Sequence, residues 1–191
     1  VTTPGTANYY RQRYGEALGS KIRVIPNGFD PEAFPADFPG RSQQVVAAGN
    51  RTLTFLHSGI LYPMERNPEH FLRALANLRN SGRPGYGNLR VIFRGSAHET
   101  RYGDLIRELD LTDMVSFPPA LPYRGAIEEM LAADALLVFQ ADNCNSQIPA
   151  KAYEYLYAGR PIIGITDPAG DTGQLLHRMG VTSIARLEDQ A

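Results

Sequence analysis

Ala135-Leu136-Leu137-Val138-Phe139 and Pro161-Ile162-Ile163-Gly164-Ile165 are two apolar runs without polar alternation. A strand with one face in water alternates with period two. Unbroken runs therefore describe strands buried on both faces, as in a parallel sheet. The segment between the runs shows how they are joined. A polar loop, residues 140–147, leads into a helix over residues 149–158, with Pro149 in its first turn and Gly159 at its end. Strand, helix and strand make a βαβ unit, whose strands lie parallel.

The same alternation extends outward on both sides. Leu89-Arg90-Val91-Ile92-Phe93 reads as a strand that ends at Gly95. A helix over residues 98–109 follows, then a short strand, Val115-Ser116-Phe117, broken by Pro118-Pro119, and a helix over residues 124–133. Upstream, Thr52-Leu53-Thr54-Phe55-Leu56-His57 is a β-branched and aromatic run that stops at Ser58-Gly59. Asn67-Pro68-Glu69 supplies a cap, a fixed φ and an acid for the next helix. Phe71, Leu72, Leu75 and Leu78 recur along it at helical spacing until Asn80-Ser81-Gly82 closes it. Near the start, residues 5–14 are helix-like, and Ile22-Arg23-Val24-Ile25 reads as a short strand ended by Pro26-Asn27-Gly28. Residues 31–50, rich in Pro, Ala, Gly and Gln, read as a loop or linker. Residues 171–179 form the last helix. These repeated units predict an α/β fold, an open parallel sheet with helices on both faces.

Composition narrows the function classes. A length of 191 residues suits one domain. Nineteen basic against 20 acidic side chains leave a net charge of −1, which excludes nucleic-acid binding by bulk charge and a polybasic membrane arm. A hydrophobic share of 43% excludes disorder. Cys144 is the single cysteine, and His57, His70, His98 and His177 show no zinc-type spacing, so neither a disulfide nor a metal is expected. No apolar run approaches the roughly 18 residues of a membrane helix. A cytoplasmic domain is expected.

In sheets of this kind ligands bind beyond the carboxyl ends of the strands. Three such junctions carry polar chemistry. The first is His57-Ser58-Gly59 with its loop to Arg66, and the second is Arg94-Gly95-Ser96. The third runs from Asn143 through Ser146, Ile148 and Lys151 to Glu154. There a helix N-terminus offers free N–H groups and a positive dipole end, and Lys151 adds a cation. Glu154 follows on the same face one turn deeper, able to accept from sugar hydroxyls. Together they suit a nucleotide diphosphate with its ribose. The plainer alternative is that Lys151 and Glu154 form a surface pair and that Gly59 and Gly95 are ordinary turns. Neither a G-x-G-x-x-G nor a P-loop motif occurs, and Cys144 has no adjacent base.

Two segments resemble a known family. Val24-Ile25-Pro26-Asn27-Gly28-Phe29-Asp30 is similar to the signature that opens the C-terminal domain of group-1 retaining glycosyltransferases of the GT-B fold. The stretch Ile148-Pro149-Ala150-Lys151-Ala152-Tyr153-Glu154-Tyr155-Leu156 resembles that family's donor-binding helix. The Gly59 loop, Arg66-Asn67-Pro68, Phe93-Arg94-Gly95 and Ala132-Ala133-Asp134-Ala135 arrive between them in the family's order.

The resemblance implies a Rossmann-like sheet forming the C-terminal half of a GT-B architecture, with residues 1–50 as interdomain segment and 51–191 as βα core. It implies binding of a UDP- or GDP-sugar for retaining transfer to an acceptor hydroxyl, without metal or cofactor. Gly59, Arg66, Gly95, Ser146, Ile148, Lys151 and Glu154 become the donor-binding set. Within it Arg66 and Lys151 face the diphosphate and Glu154 the ribose. Ser146 stands where the family carries a first glutamate, and Ile60 where an arginine often follows the glycine. Residues 115–123 would cradle the base. No protein nucleophile is implied. The N-terminal acceptor domain would precede Val1, so the chain alone is expected to be inactive. Its acceptor, sugar, lipid or polysaccharide, is unspecified. The enzyme is expected to be cytoplasmic, with peripheral contact at the inner membrane face through the absent domain. Alternative readings are a non-catalytic nucleotide-binding or regulatory module and a sugar-nucleotide epimerase on a similar scaffold.

Overall fold

In the computed structural model, which describes residues 1–38, 51–82 and 88–188, the two apolar runs are adjacent parallel strands. In chain order the elements are helix α1 (Pro4–Gly19), strand β1 (Leu53–Ser58), α2 (Glu69–Asn80), β2 (Leu89–Arg94), α3 (Glu99–Glu108) and β3 (Val115–Ser116). There follow α4 (Tyr123–Ala132), β4 (Ala135–Gln140), α5 (Ala150–Ala158), β5 (Ile162–Thr166), α6 (Asp171–Arg178) and β6 (Ile184–Ala185). The strands form one sheet in the order β3-β2-β1-β4-β5-β6, and every pairing is parallel.

β4 shows why its sequence lacks alternation. Leu137 and Phe139 pack into a cluster with Leu72 and Leu75 of α2 and Tyr102 and Ile106 of α3. Leu136 and Val138 point the other way, into a cluster with Ile127 of α4, Tyr155 of α5 and Leu176 of α6. All four β4 side chains are at most 1% exposed. Burying one such side chain is worth about 1.5–3 kcal/mol, so both faces of the strand must be apolar.

The strand order also locates a crevice. From β1 the chain winds outward through β2 and β3, then returns to the other side of β1 for β4, β5 and β6. Crossovers of one hand running in opposite directions put their helices on opposite faces. The neighbouring strands at the reversal, β1 and β4, part company there. Their ladder holds only Phe55↔Ala135 and Leu56↔Leu136. Beyond it the loops after Ser58 and Gln140 diverge, which is where open α/β sheets bind ligands.

Several local expectations change. Residues 22–25 form no strand. The Ile25 N–H pairs with the Val1 carbonyl at 2.9 Å, outside the sheet, and Ile25 is 73% exposed. Four residues with no strand partner cannot satisfy a ladder. β6 was not anticipated, because two residues carry no period. α1 continues past residue 14 across a break at Gly15, which has φ +69°. α2 starts at Glu69, and the Asn67 side chain accepts the Glu69 N–H at 3.0 Å from just outside the helix. Within the expected linker, Pro31–Ala33 form a 3-10 turn capped by Asp30, whereas residues 39–50 lie outside the described residues. No described helix is long and apolar enough to cross a membrane.

Candidate functional site

At the end of β1 the backbone is held from two sides. The Ser58 N–H donates to the buried Tyr155 hydroxyl at 2.9 Å, and the Gly59 N–H donates to the Arg94 carbonyl at 2.7 Å. Gly59 itself has φ +117°, and a Cβ added there would lie 2.9 Å from Lys151 Nζ. The angle calls for glycine, and a side chain there would displace the ammonium.

Lys151 sits in the first turn of α5, where no side chain caps the helix. Its ammonium is turned inward. Nζ lies 3.0 Å from His57 Nε2, and His57 Nδ1 lies 2.9 Å from the Leu137 carbonyl. A carbonyl can only accept, so Nδ1 carries the proton and Nε2 accepts from the lysine. His57 has no exposed surface. Burial, then the Lys151 charge, holds its imidazole well below the ordinary range and therefore neutral. Burial likewise brings the Lys151 ammonium down to about 7, with the Arg66 charge pushing the same way and Glu154 opposing. These mutual influences place Arg66, Lys151 and Glu154 in one electrostatic neighbourhood.

Arg66 lies over the Tyr62 ring, its guanidinium carbon 5.2 Å from the centroid. One of its terminal nitrogens donates to the Ile60 carbonyl at 3.4 Å, and its buried Nε has no partner among the described residues. The neighbouring Glu65 carbonyl accepts the Ala141 N–H at 2.8 Å and so ties the loop after β1 to the end of β4. Between these loops is a cavity of about 210 Å³ lined by Tyr62, Glu65, Arg66, Gln140, Cys144 and Gln147. Gln140, 2% exposed, leaves its Oε1 without a partner among the described residues. Burial pushes the Cys144 thiol up, which keeps it protonated. No group of three or more metal-ligating side chains gathers among the described residues.

Glu154 and Lys151 do not meet each other. Glu154 Oε1 accepts from the Tyr123 hydroxyl at 2.8 Å, and burial with this carboxylate pushes the phenol up to about 12. Ser146 enters through its backbone, because its carbonyl accepts from Thr3 Oγ1 at 2.5 Å and Thr6 Oγ1 at 2.6 Å. The Ile148 carbonyl accepts from Asn27 at 3.4 Å, and its side chain is buried. Gly95 lies at the end of β2, where its N–H donates to the Pro118 carbonyl at 3.0 Å. A Cβ there would meet the Ala120 Cβ at 3.1 Å, so residues 117–122 pass directly over this turn. Arg94 is occupied by Glu129, at 2.8 and 2.5 Å, and by the Pro119 carbonyl.

Gly59 and Lys151 thus pack together at the end of β1, with Arg66 and Glu154 within electrostatic reach of the ammonium. Gly95 stands one strand away, and Ser146 and Ile148 contribute carbonyls on the α1 side. Sequence reasoning placed His57 at the first junction and Tyr123 in the segment 115–123 without finding the partner of either, and it missed Thr3 and Thr6. Each acts across more than 30 residues or through a buried ring, and no local spacing marks such contacts.

The architecture is a Rossmann-like α/β sheet of the GT-B kind. Residues 41–171 match the family described as glycosyl transferases group 1, and the chain belongs to that family. Over 128 residues it is 30% identical to a D-inositol 3-phosphate glycosyltransferase of Kineococcus radiotolerans, spanning 62% of this chain and 29% of that protein. Its fold is similar to that of WaaG, a glycosyltransferase involved in lipopolysaccharide biosynthesis, with a TM-score of 0.68 at 15% identity over 93% of this chain and 46% of the other. It is also similar to the pneumococcal O-GlcNAc transferase GtfA in complex with UDP and GlcNAc. There the TM-score is 0.59 at 13% identity, over 89% of this chain and 30% of the other. The chain spans less than half the length of each of these relatives.

Proposed function

We propose that this chain is the donor-binding domain of a retaining glycosyltransferase and that its β1–β4 crevice takes a UDP- or GDP-sugar. The observation that carries the reading is the packing of Lys151 against the bare Gly59 backbone at the strand-order reversal, within electrostatic reach of Arg66 and Glu154. Lys151 Nζ lies within 2.9 Å of where a Cβ of Gly59 would be, and the Arg66 charge acts on it. A diphosphate laid across the bare Gly59 backbone would meet that ammonium, Arg66 and the uncapped first turn of α5. Glu154, one turn deeper, would exchange its Tyr123 partner for ribose hydroxyls. Residues 117–122, folded over Gly95, lie on the side where the base would rest.

Two cations and a helix end offset most of the charge of a leaving diphosphate, and on that ground the reading takes donor binding to be metal-independent. Retention comes from the motif resemblance, with the departing phosphate taking the acceptor proton. The acceptor site is assigned to the remainder of a longer enzyme, because the relatives extend well beyond the span matched here.

A thermal-shift panel of UDP, GDP and ADP, with their nucleosides, tests the reading. At a hundred-fold excess over Kd the right diphosphate should add about 2.7 kcal/mol of stability. For a domain of this size that raises Tm by about 5–10 °C. No shift with any nucleotide at millimolar concentration would overturn it.

A further inference from the structure

We propose that His57 is a positioning residue for this site: its buried imidazole, fixed in the Nδ1–H form by the Leu137 carbonyl, accepts from the Lys151 ammonium and aims it past Gly59 at the diphosphate. The proposal rests on the reading of Lys151 as a diphosphate ligand. Three features of the fold carry it.

The first is the place of the ring. His57 lies near the end of β1, between Phe93 and Phe139, with ring centroids at 6.3 and 5.3 Å. Packing there calls for an apolar side chain, and a polar ring is tolerated only if both nitrogens are satisfied. The second is where its partners come from. The β1–β4 ladder stops at Leu56↔Leu136, so the Leu137 carbonyl facing β1 has no strand donor and takes the imidazole instead. The same parting of strands that opens the crevice therefore orients the ring. The third is the bare backbone of Gly59, with Lys151 Cε only 3.5 Å from a hypothetical Cβ. A long, flexible lysine stem is thus confined between the imidazole and the glycine, and its rotamer entropy is lost before ligand arrives.

The charged and titratable groups facing Lys151 are His57 from β1, Arg66 from the loop after it and Glu154 from α5 itself. Neutral His57 accepts a hydrogen bond from the ammonium without neutralising it, and Arg66 disfavours it. Burial, with the Arg66 charge pushing the same way and Glu154 opposing, brings the free Lys151 ammonium down to about 7. A diphosphate reverses that balance and draws a proton from solvent onto Nζ. Binding takes up about half a proton at pH 7 and approaches one at pH 8.5. An ordinary surface lysine would take up none.

The experiment is calorimetry of UDP-glucose and GDP-mannose, whose diphosphodiesters have no group titrating near neutrality, in buffers of differing ionisation enthalpy between pH 6.5 and 8.5. Wild type, K151A, H57F, H57N and H57Q are compared, with circular dichroism and Tm confirming the fold. The expected results are proton uptake that grows with pH in the wild type and is absent in K151A. His57→Phe and His57→Asn should weaken sugar-nucleotide binding about tenfold or more, the scale of one hydrogen bond to a charged group, and leave nucleoside binding unchanged. His57→Gln, whose Oε1 reaches the position of Nε2, should recover part of the loss. Binding lost in K151A but unaltered in H57F and H57N overturns this proposal alone. A wild type that binds nucleotide with no proton uptake at pH 8 overturns it too, even if H57F fails to fold. A wild type that binds no nucleotide overturns the donor reading along with it.

Discussion

Gly59 and Glu154 show how much of the site turns on single atoms. At Gly59 a methyl group would face both a φ of +117° and the Lys151 Nζ at 2.9 Å. Gly59→Ala should cost about 1–3 kcal/mol in backbone strain and push the ammonium off His57. The expected outcome is a lower urea midpoint together with lost nucleotide affinity, and a variant with both at wild-type values counts against the packed Gly59–Lys151 contact. Glu154 carries a different prediction. If it accepts from ribose, Glu154→Gln weakens ribonucleotide binding by about 1.5–3 kcal/mol while the fold survives. Unchanged affinity in titration calorimetry would leave Glu154 as a partner of Tyr123 alone. Arg66, Lys151 and Glu154 were legible as candidates because helix starts and strand ends have local signatures. His57 was legible only as a polar strand terminus, because its partner Lys151 lies 94 residues further along the chain.

Among the elements, α5 matters most, because it is fastened to β1 by one buried hydroxyl. Tyr155→Phe keeps the ring but leaves the Ser58 N–H without its partner. The cost should be about 1–3 kcal/mol, read as a lower urea midpoint with unchanged slope. α1 shows a second kind of fastening. Thr3 and Thr6 hold the Ser146 carbonyl, and Asp171 accepts the Gly5 N–H at 2.7 Å. Thr3→Val with Asp171→Ala should loosen α1 by about 1–3 kcal/mol. Hydrogen exchange should quicken across α1 while β4 amides keep their protection, whereas equal protection throughout would show that α1 is held by other contacts. The helix periods of α2 to α6 were readable because amphipathic spacing survives in any packed helix. The strand expected at residues 22–25 was not realised, because a strand needs a neighbour and the sequence names none.

For the whole molecule, the His57–Lys151 pair sets a pH dependence of stability. Lys151 titrates at about 7 in the folded chain and at its ordinary 10.5 when unfolded. Between these values the unfolded state binds the extra proton, so stability rises with pH across that window. His57, neutral when folded, acts in the same sense below its ordinary 6.5, where unfolding lets it charge. Tyr123, raised to about 12, reverses the trend above pH 10, since the unfolded phenol ionises first. Urea midpoints should therefore climb from pH 7 to 9, and Lys151→Met should flatten that slope. A wild-type midpoint constant over this range would show that the ammonium is solvated.

By itself the sequence determined the class of fold. Apolar runs without alternation demand burial on both faces, and their separation by helices demands parallel pairing. It also singled out the α5 cation and carboxylate, whose spacing along one helix is local geometry. Only the tertiary structure decided which strands flank the crevice, since strand order depends on crossovers rather than on any one segment. The tertiary structure alone also turned Lys151 inward onto His57 and joined Glu154 to Tyr123. Those contacts bridge 94 and 31 residues of chain, and their energies come from burial and approach distance, quantities that exist only once the sheet has closed.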